Sequence, residues 1–167
     1  MRKLVLPGAM LMFTSTLALS AECDQNFAGE WNREAPGTPE EAYRAEGSGW
    51  SDRIRLTQDG GRITLESFYF SRGDLQPPLK FTYLPGDGTT ENAVMVGQGA
   101  QRQISSSRWN DCRLVITTRF PAERALAEAT VTQTVWLEAS ALIVETARGT
   151  ASANRTVYRK AAPAGGE

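Results

Sequence analysis

Residues 53–66, RIRLTQDGGRITLE, decide the fold of this chain. Ile54 and Leu56 alternate with polar residues before the centre of this stretch, and the same alternation resumes after it. A period of two is typical of strands that have one buried and one solvated face. Asp-Gly-Gly at residues 59–61 is the composition of a tight turn between two such strands. The stretch therefore predicts an antiparallel β-hairpin with one wet face.

The same pattern of strand and turn extends through most of the chain. Besides the hairpin, strands are predicted over residues 27–33, 79–84, 91–96, 101–109, 113–120, 130–138, 142–148 and 155–160. Glycines at positions 97 and 99 leave open whether residues 91–109 form two strands or one long bent strand. One short helix is predicted over residues 40–45, because Thr38 is suited to cap it and Pro39 to begin it.

Consecutive strands joined by short turns predict an all-β fold, an antiparallel up-and-down meander. A sheet this long must protect its edge strands, and closure into a barrel removes the edges. We therefore expect an 8–10-stranded barrel with one short helix after the first strand. A two-sheet sandwich is the alternative that the same pattern allows.

The first residues of the chain are typical of a cleavable signal peptide. Arg2 and Lys3 precede an apolar stretch that reaches Leu19 without a charged residue, and small residues follow it at positions 20 and 21. We expect residues 1–21 to be removed, residues 22–160 to form one domain and residues 161–167 to be a disordered tail. The protein is accordingly expected in the periplasm or outside the cell.

The chain contains two cysteines, Cys23 and Cys112. Glu22 stands where a lipid-modification signal needs a small residue, so we do not expect a lipoprotein. In an oxidising compartment two cysteines most simply form one disulfide. Closing a loop of about ninety residues would stabilise the fold by roughly 4–5 kcal/mol in the chain-entropy model. Two free thiols or a two-cysteine metal site are the alternatives.

The segment NFAGEWN, residues 26–32, resembles the Phe-x-Gly-x-Trp opening of the lipocalin-like, or calycin, barrels. Residues 56–64, 109–118 and 155–159 also resemble strands of small secreted bacterial domains of this type. The resemblance implies a lipocalin-like barrel in which Gly29 and Trp31 close one end. It also implies that an arginine of the last strand, Arg155 or Arg159, covers the Trp31 ring as a stacked cation.

The chain contains no histidine. This excludes Ser-His-Asp and Cys-His catalysis, His-bound zinc and haem held by a proximal histidine. Glu66 and Glu145 lie among polar or small residues of predicted strands and are expected on a solvated outer face. We therefore expect no enzyme activity, no metal and no cofactor. A barrel enzyme that uses Glu, Tyr and Arg is the remaining enzymatic alternative.

Arginines at positions 102, 108, 113 and 119 lie on neighbouring predicted strands. They could form a stripe for an anionic ligand, but outward-facing charges of a meander give the same pattern. After cleavage the chain would carry a net charge of −3, which is too small to indicate nucleic acid or a membrane surface as partner. No later segment has the length of a membrane span, and no protein partner is indicated.

The candidate ligand-binding residues are aromatic residues on successive predicted strands: Tyr69, Phe81, Tyr83, Trp109 and Trp136. An eight-stranded barrel is wide enough either to fill itself with side chains or to hold one small ligand. We therefore expect an exported binding protein for a small apolar or amphipathic molecule. The alternative is a structural or interaction module with a solid core, which acts through its loops as an inhibitor or envelope accessory.

Overall fold

The structure is a computed structural model that describes residues 25–35, 49–69, 77–86, 88–96, 99–121 and 128–162. These residues form ten β-strands: β1 Gly29–Arg33, β2 Arg53–Asp59, β3 Arg62–Phe68, β4 Leu79–Tyr83, β5 Thr89–Val96, β6 Gly99–Asn110, β7 Arg113–Phe120, β8 Ala129–Glu138, β9 Ala141–Arg148 and β10 Asn154–Lys160. The described part of the chain contains strands and turns but no helix. None of the described segments is a helix long and apolar enough to cross a membrane.

The predicted hairpin is confirmed as β2 and β3. Its register runs from Asp59 opposite Arg62 to Arg53 opposite Phe68. Gly60 and Gly61 have φ of 54° and 79°, which is the left-handed backbone that a two-residue hairpin turn requires. Burial alternates along both strands, so one face is dry and the other wet.

All ten strands belong to one antiparallel sheet, in the order β4-β3-β2-β1-β10-β9-β8-β7-β6-β5. Pairing of β1 with β10 joins the two ends of the meander. The two edge strands of this sheet, β4 and β5, lie beside each other. The sheet therefore forms a nearly closed barrel rather than a two-sheet sandwich.

The Asn92 side chain bridges the seam between β4 and β5. Asn92 on β5 accepts a hydrogen bond from the Thr82 backbone N–H at 2.8 Å through Oδ1, and donates through Nδ2 to the Thr82 carbonyl at 3.3 Å. Asn92 is only 8% exposed. Its amide thus supplies to β4 the donor and the acceptor that a neighbouring strand would otherwise provide.

Several sequence predictions can be compared with these elements. Residues 91–109 form two strands, β5 and β6, rather than one. The predicted signal peptide, the short helix at 40–45 and the end of the predicted tail lie outside the described residues. Cys112 forms part of the β6–β7 turn and is not a free thiol. Its predicted partner Cys23 also lies outside the described residues, so the disulfide stays a prediction.

Candidate functional site

One end of the barrel, here called the turn end, carries the tight β2–β3, β6–β7 and β8–β9 turns. The segment before β1 closes this end. Phe27 is fully buried, and its ring lies 5.6 Å from that of Trp109 between centroids. Gln25 accepts a hydrogen bond from the backbone N–H of Leu137 at 3.0 Å. The N-terminal segment is therefore fixed across the barrel by both packing and hydrogen bonding.

Trp31 completes the closure of the turn end, as the resemblance to calycin barrels implies. Its indole Nε1 donates to the carbonyl of Phe27 at 2.9 Å, and the residue is 3% exposed. Gly29 has a φ of 145°, and a Cβ at this position would lie 3.1 Å from Cε of Lys160. Glycine at this position therefore leaves room for the lysine chain beside the indole.

The cation over Trp31 is Lys160 rather than Arg155 or Arg159. The Lys160 Nζ lies 5.8 Å from the Trp31 ring centroid. Trp31 and Lys160 are directly opposite each other in the β1–β10 register, so their side chains share a face of the sheet. Arg159 points to the other face, where it donates to Glu34 at 3.0 Å. The one-residue difference in register decides which cation reaches the indole.

The opposite end, here called the loop end, carries the longer connections. The described segment 49–52 lies there, and its Trp50 packs against Tyr158 with ring centroids 6.4 Å apart. Ser51 is tied to the barrel wall by its backbone N–H, which donates to Ser67 Oγ at 2.9 Å. Tyr158 donates to the Ser51 carbonyl at 3.2 Å. The segment therefore covers part of the interior instead of extending into solvent.

Tyr83 is the most strongly perturbed titratable group in the interior. Burial raises the pKa of its phenol, and the neighbouring Tyr69 raises it further. A hydrogen bond with the Trp50 side chain acts in the opposite direction and is too weak to offset the burial. Tyr83 is consequently a neutral hydrogen-bonding group inside the barrel.

A set of uncharged polar side chains faces inward from β6 to β10. These residues are here called the polar tier: Ser105, Ser107, Thr118, Gln133, Thr146 and Thr156. They alternate with core residues such as Ile116 and Val135, which shows that they point to the interior. The hydroxyls of Ser105 and Thr118 lie 2.9 Å apart, and Gln133 stands opposite Thr146 in the β8–β9 register.

Apolar side chains make up the rest of the interior. They come from β2 to β4 and also from the strands of the polar tier: Ile54, Leu56, Ile63, Leu65, Phe81, Tyr83, Leu114, Ile116, Val135, Leu142, Val144 and Tyr158. All nine polar residues buried in the described part of the chain are uncharged. The interior is thus amphipathic without being ionic.

The structure brings together only part of the predicted aromatic set. Phe81 and Tyr83 belong to the core, and Trp109 packs partly buried against it. Tyr69 follows β3 at the loop end, is 48% exposed and donates its hydroxyl to the Gly49 carbonyl at 3.0 Å. Trp136 lies on the opposite face of β8 from the core residue Val135, so it is separated from Phe81, Tyr83 and Trp109.

Trp136 belongs to a second apolar cluster, with Ile143 and Val157, outside the main core. Arg113 and Arg155 lie over its ring, with guanidinium carbons 4.5 and 5.8 Å from the centroid. The two stacked cations and the apolar cluster together leave Trp136 only 8% exposed on the outer side of the barrel. An aromatic residue on a strand therefore does not by itself indicate a cavity.

Charged side chains form ion pairs on the outer face of β1 to β4. Glu30 pairs with Arg53 at 3.0 Å and also with Arg55, which in turn reaches Glu66 at 3.3 Å. The hydrogen bond from Arg55, followed by that from Arg53, lowers the pKa of Glu30. This places Glu66 on the outer face, as expected from the sequence.

Three of the four arginines considered as an anion stripe, Arg102, Arg113 and Arg119, have other contacts. Arg102 pairs with Glu91 at 3.3 Å and Arg119 with Glu128 at 3.8 Å, while Arg113 stacks on Trp136. Within the described ranges, no group of three or more Asp, Glu, Cys or His residues could hold a metal ion. The interior of the barrel is therefore the candidate functional site.

Sequence reasoning missed Trp50 and the polar tier. Trp50 lies outside every predicted strand, so no periodicity pointed to it. The tier residues did carry a signal, because Thr118, Gln133 and Thr146 each stand two positions from an apolar core residue on the same strand. Residues with hydroxyl and amide groups are equally common on solvated faces, so this spacing alone does not predict that they point inward.

Taken together, these features define the class of the fold, a calycin-type β-barrel. Ten antiparallel strands surround one core, and a Gly-x-Trp on the first strand closes one end under a cation from the last strand. The comparisons with known proteins agree with this class at the level of structure. No family model and no curated protein matches the sequence.

Among solved structures, the chain is similar to the REP1-NXSQ fatty acid transporter, with a TM-score of 0.51 and 9% identity over 81% of this chain and 96% of that one. It is similar to secretory abundant heat soluble protein 4 from Ramazzottius varieornatus, with a TM-score of 0.55 and 10% identity over 81% and 94% of the two chains. Human cRBP IV gives a TM-score of 0.51 and 14% identity over 82% and 99%. At these identities the likeness concerns the fold.

Proposed function

We propose that this protein is an exported, non-enzymatic carrier that holds a small apolar or amphipathic molecule inside its barrel. The observation that carries the proposal is the mixed interior, in which the polar tier of β6 to β10 lies among apolar side chains from β2 to β4 and from β7 to β10. Small-molecule sites combine a mostly apolar lining with a few placed polar groups in this way. The name of one structural neighbour, a fatty acid transporter, agrees with such a role.

Export is part of the same proposal and rests on the N-terminal sequence. Removal of residues 1–21 in the periplasm or outside a bacterial cell would leave a domain that begins near the turn end, since Gln25 and Phe27 already lie there. A Cys23–Cys112 disulfide would fasten that segment to the β6–β7 turn. The mass of the purified protein should rise by about 2 Da on reduction, and an unchanged mass would disprove the disulfide.

The binding proposal is tested on protein freed of carried molecules by unfolding and refolding. Native mass spectrometry and thermal shift are then measured with lipid extracts and with medium-chain amphiphiles. We expect a mass adduct and a higher midpoint of unfolding, because a ligand that binds only the folded state stabilises it.

A matched pair of variants locates the site. Ser105→Leu adds volume to the inner face, whereas Ser106→Leu adds the same volume to the exposed outer face one residue away. We expect the inner variant to lose the adduct while the outer variant keeps it, with circular dichroism confirming that both fold. Equal retention of ligand by both variants, or no ligand for the unmodified protein, would favour the solid-core interaction module.

A further inference from the structure

We propose that the ligand is uncharged, and that its hydroxyl, ester or amide head group binds at the polar tier. This inference rests on the proposed function and narrows it to a class of ligand. It separates this barrel from one that holds an ionised fatty acid within its interior.

An ionised head group inside the barrel would be costly. A carboxylate or ammonium group loses several kcal/mol of hydration in such a site unless an opposite charge compensates it. The buried polar residues of the described chain are Ser, Thr, Asn and Gln, and none carries a charge. Hydroxyl and amide groups can satisfy a neutral head group, since each donates and accepts hydrogen bonds.

The buried polar groups differ in whether they can bind a ligand. Asn92 is occupied by the backbone of Thr82, and Ser67 by Ser51. The Ser105–Thr118 pair is different, because two hydroxyls that share one hydrogen bond retain a second donor and further acceptor positions. This pair can therefore both donate to and accept from a neutral head group.

Three cationic side chains belong to the inner face of their strands, those of Arg33, Arg148 and Lys160. At the loop end Arg33 is paired with Asp52 at 2.9 Å. Arg148 follows Thr146 by two positions on the inner face of β9, and its guanidinium lies near Gly49 at the rim. Lys160 is exposed at the turn end, over Trp31. Arg33 and Lys160 therefore stand at opposite ends of the barrel. Arg148 lies in the same row of the sheet as Thr118, two strands away through Val131, and its guanidinium reaches the loop end beside Gly49.

The test compares ligands that have the same chain and different head groups. Refolded full-length protein is titrated with 1-dodecanol, dodecanoate and dodecyltrimethylammonium at about pH 8, with displacement of the uncharged dye Nile red as the readout. We expect dodecanol to bind at least about tenfold more tightly than either ion, because only the ions lose their hydration without compensation. At about pH 5 dodecanoate should gain affinity as its carboxyl takes up a proton, while dodecanol should not.

Two substitutions place the head group. Thr118→Val keeps the shape of the side chain and removes its hydroxyl, and we expect it to weaken dodecanol binding about threefold to tenfold. Thr117→Val, on the other face of β7, is the control and should leave binding unchanged. An unaltered affinity in Thr118→Val would overturn the assignment of the polar tier.

The remaining outcomes separate this inference from the proposed function. If dodecanoate bound as tightly as dodecanol at about pH 8, the proposal of an uncharged ligand would be overturned. Loss of dodecanoate binding in Arg148→Gln would then place the carboxylate at the rim. Failure of all three amphiphiles to displace the dye or to form an adduct would overturn the proposed function itself.

Discussion

Asn92 should be decisive for the closure of the barrel, and Asn92→Asp tests this with almost no change of shape. The substitution replaces the Nδ2 donor, which lies 3.3 Å from the Thr82 carbonyl, by an oxygen. The Oδ1 acceptor for the Thr82 N–H, at 2.8 Å, is retained. One half of the seam is therefore broken and the other half is kept.

The expected magnitude follows from burial. Asn92 is 8% exposed, so the Thr82 carbonyl would lose a partner that water does not readily replace. A buried acceptor left without a partner costs about 1–3 kcal/mol, and desolvation of the new carboxylate adds to this. We expect the free energy of unfolding to fall by at least about 2 kcal/mol near neutral pH, most of it through opening between β4 and β5.

The penalty should depend on pH in a defined direction. Burial raises the pKa of the introduced carboxyl above the value of about 3.9 that it has in the unfolded chain. The folded state therefore holds the proton more tightly, and the penalty relative to the unmodified protein should grow as pH rises through this window. Below about pH 4 both states are protonated, and the O–H can donate to the Thr82 carbonyl again.

Urea unfolding of both proteins at several pH values measures this difference. Asn32→Asp, at an exposed position of β1, is the matched control and should change stability by less than about 0.5 kcal/mol. A stability of Asn92→Asp equal to that of the unmodified protein at neutral pH, or a penalty that does not change with pH, would show that the side-chain bridge does not hold the seam.

Three further predictions concern other parts of the structure. Above about pH 10 the Tyr83 phenol should ionise only in the unfolded state, because burial raises its pKa in the folded protein, so the unmodified protein should lose up to about 1.4 kcal/mol of stability per pH unit more than Tyr83→Phe. Urea unfolding at several pH values measures this, and an equal dependence of the unfolding free energy on pH in the two proteins would contradict it. Glu30→Gln should lower the free energy of unfolding by about 0.2–1 kcal/mol at neutral pH, and this difference should vanish in high salt or once the pH falls through the lowered pKa of Glu30. A difference in urea unfolding that persists in high salt would contradict the ion-pair account. Phe27→Ala should lower the free energy of unfolding measured by calorimetry by about 3–5 kcal/mol and change the fluorescence of Trp109. A loss below about 1 kcal/mol would show that the N-terminal segment does not close the turn end.

The strands themselves could be predicted because their signal is local. The β2–β3 hairpin needs only alternating residues and a turn that tolerates positive φ, and both are visible in fourteen consecutive letters. The closing role of Gly29 and Trp31, by contrast, was implied by the resemblance of residues 26–32 to calycin barrels. A meander also limits which strands can pair, so neighbouring strands were expected side by side, while the structure decided between a barrel and a two-sheet sandwich.

What local pattern could not supply is the contact between distant strands. Val135, Trp136 and Leu137 are consecutive apolar residues of β8, so periodicity cannot say which face is inside, and only closure of the sheet turns Trp136 outward. The choice of Lys160 over Arg159 depends on register between the first and last strands. A one-residue shift in register reverses the face of every side chain, and long-range packing sets that register.

The candidate site divides in the same way. The sequence by itself determined a histidine-free meander of strands behind a signal-like N-terminus, because composition and period-two alternation do not depend on the rest of the fold. Only the tertiary structure placed Thr118 beside Ser105 and Asn92 across the β4–β5 seam. The sequence does not distinguish a hydroxyl or amide on the solvated face from one in the interior. Its role is decided by the strands that close around it and exclude water.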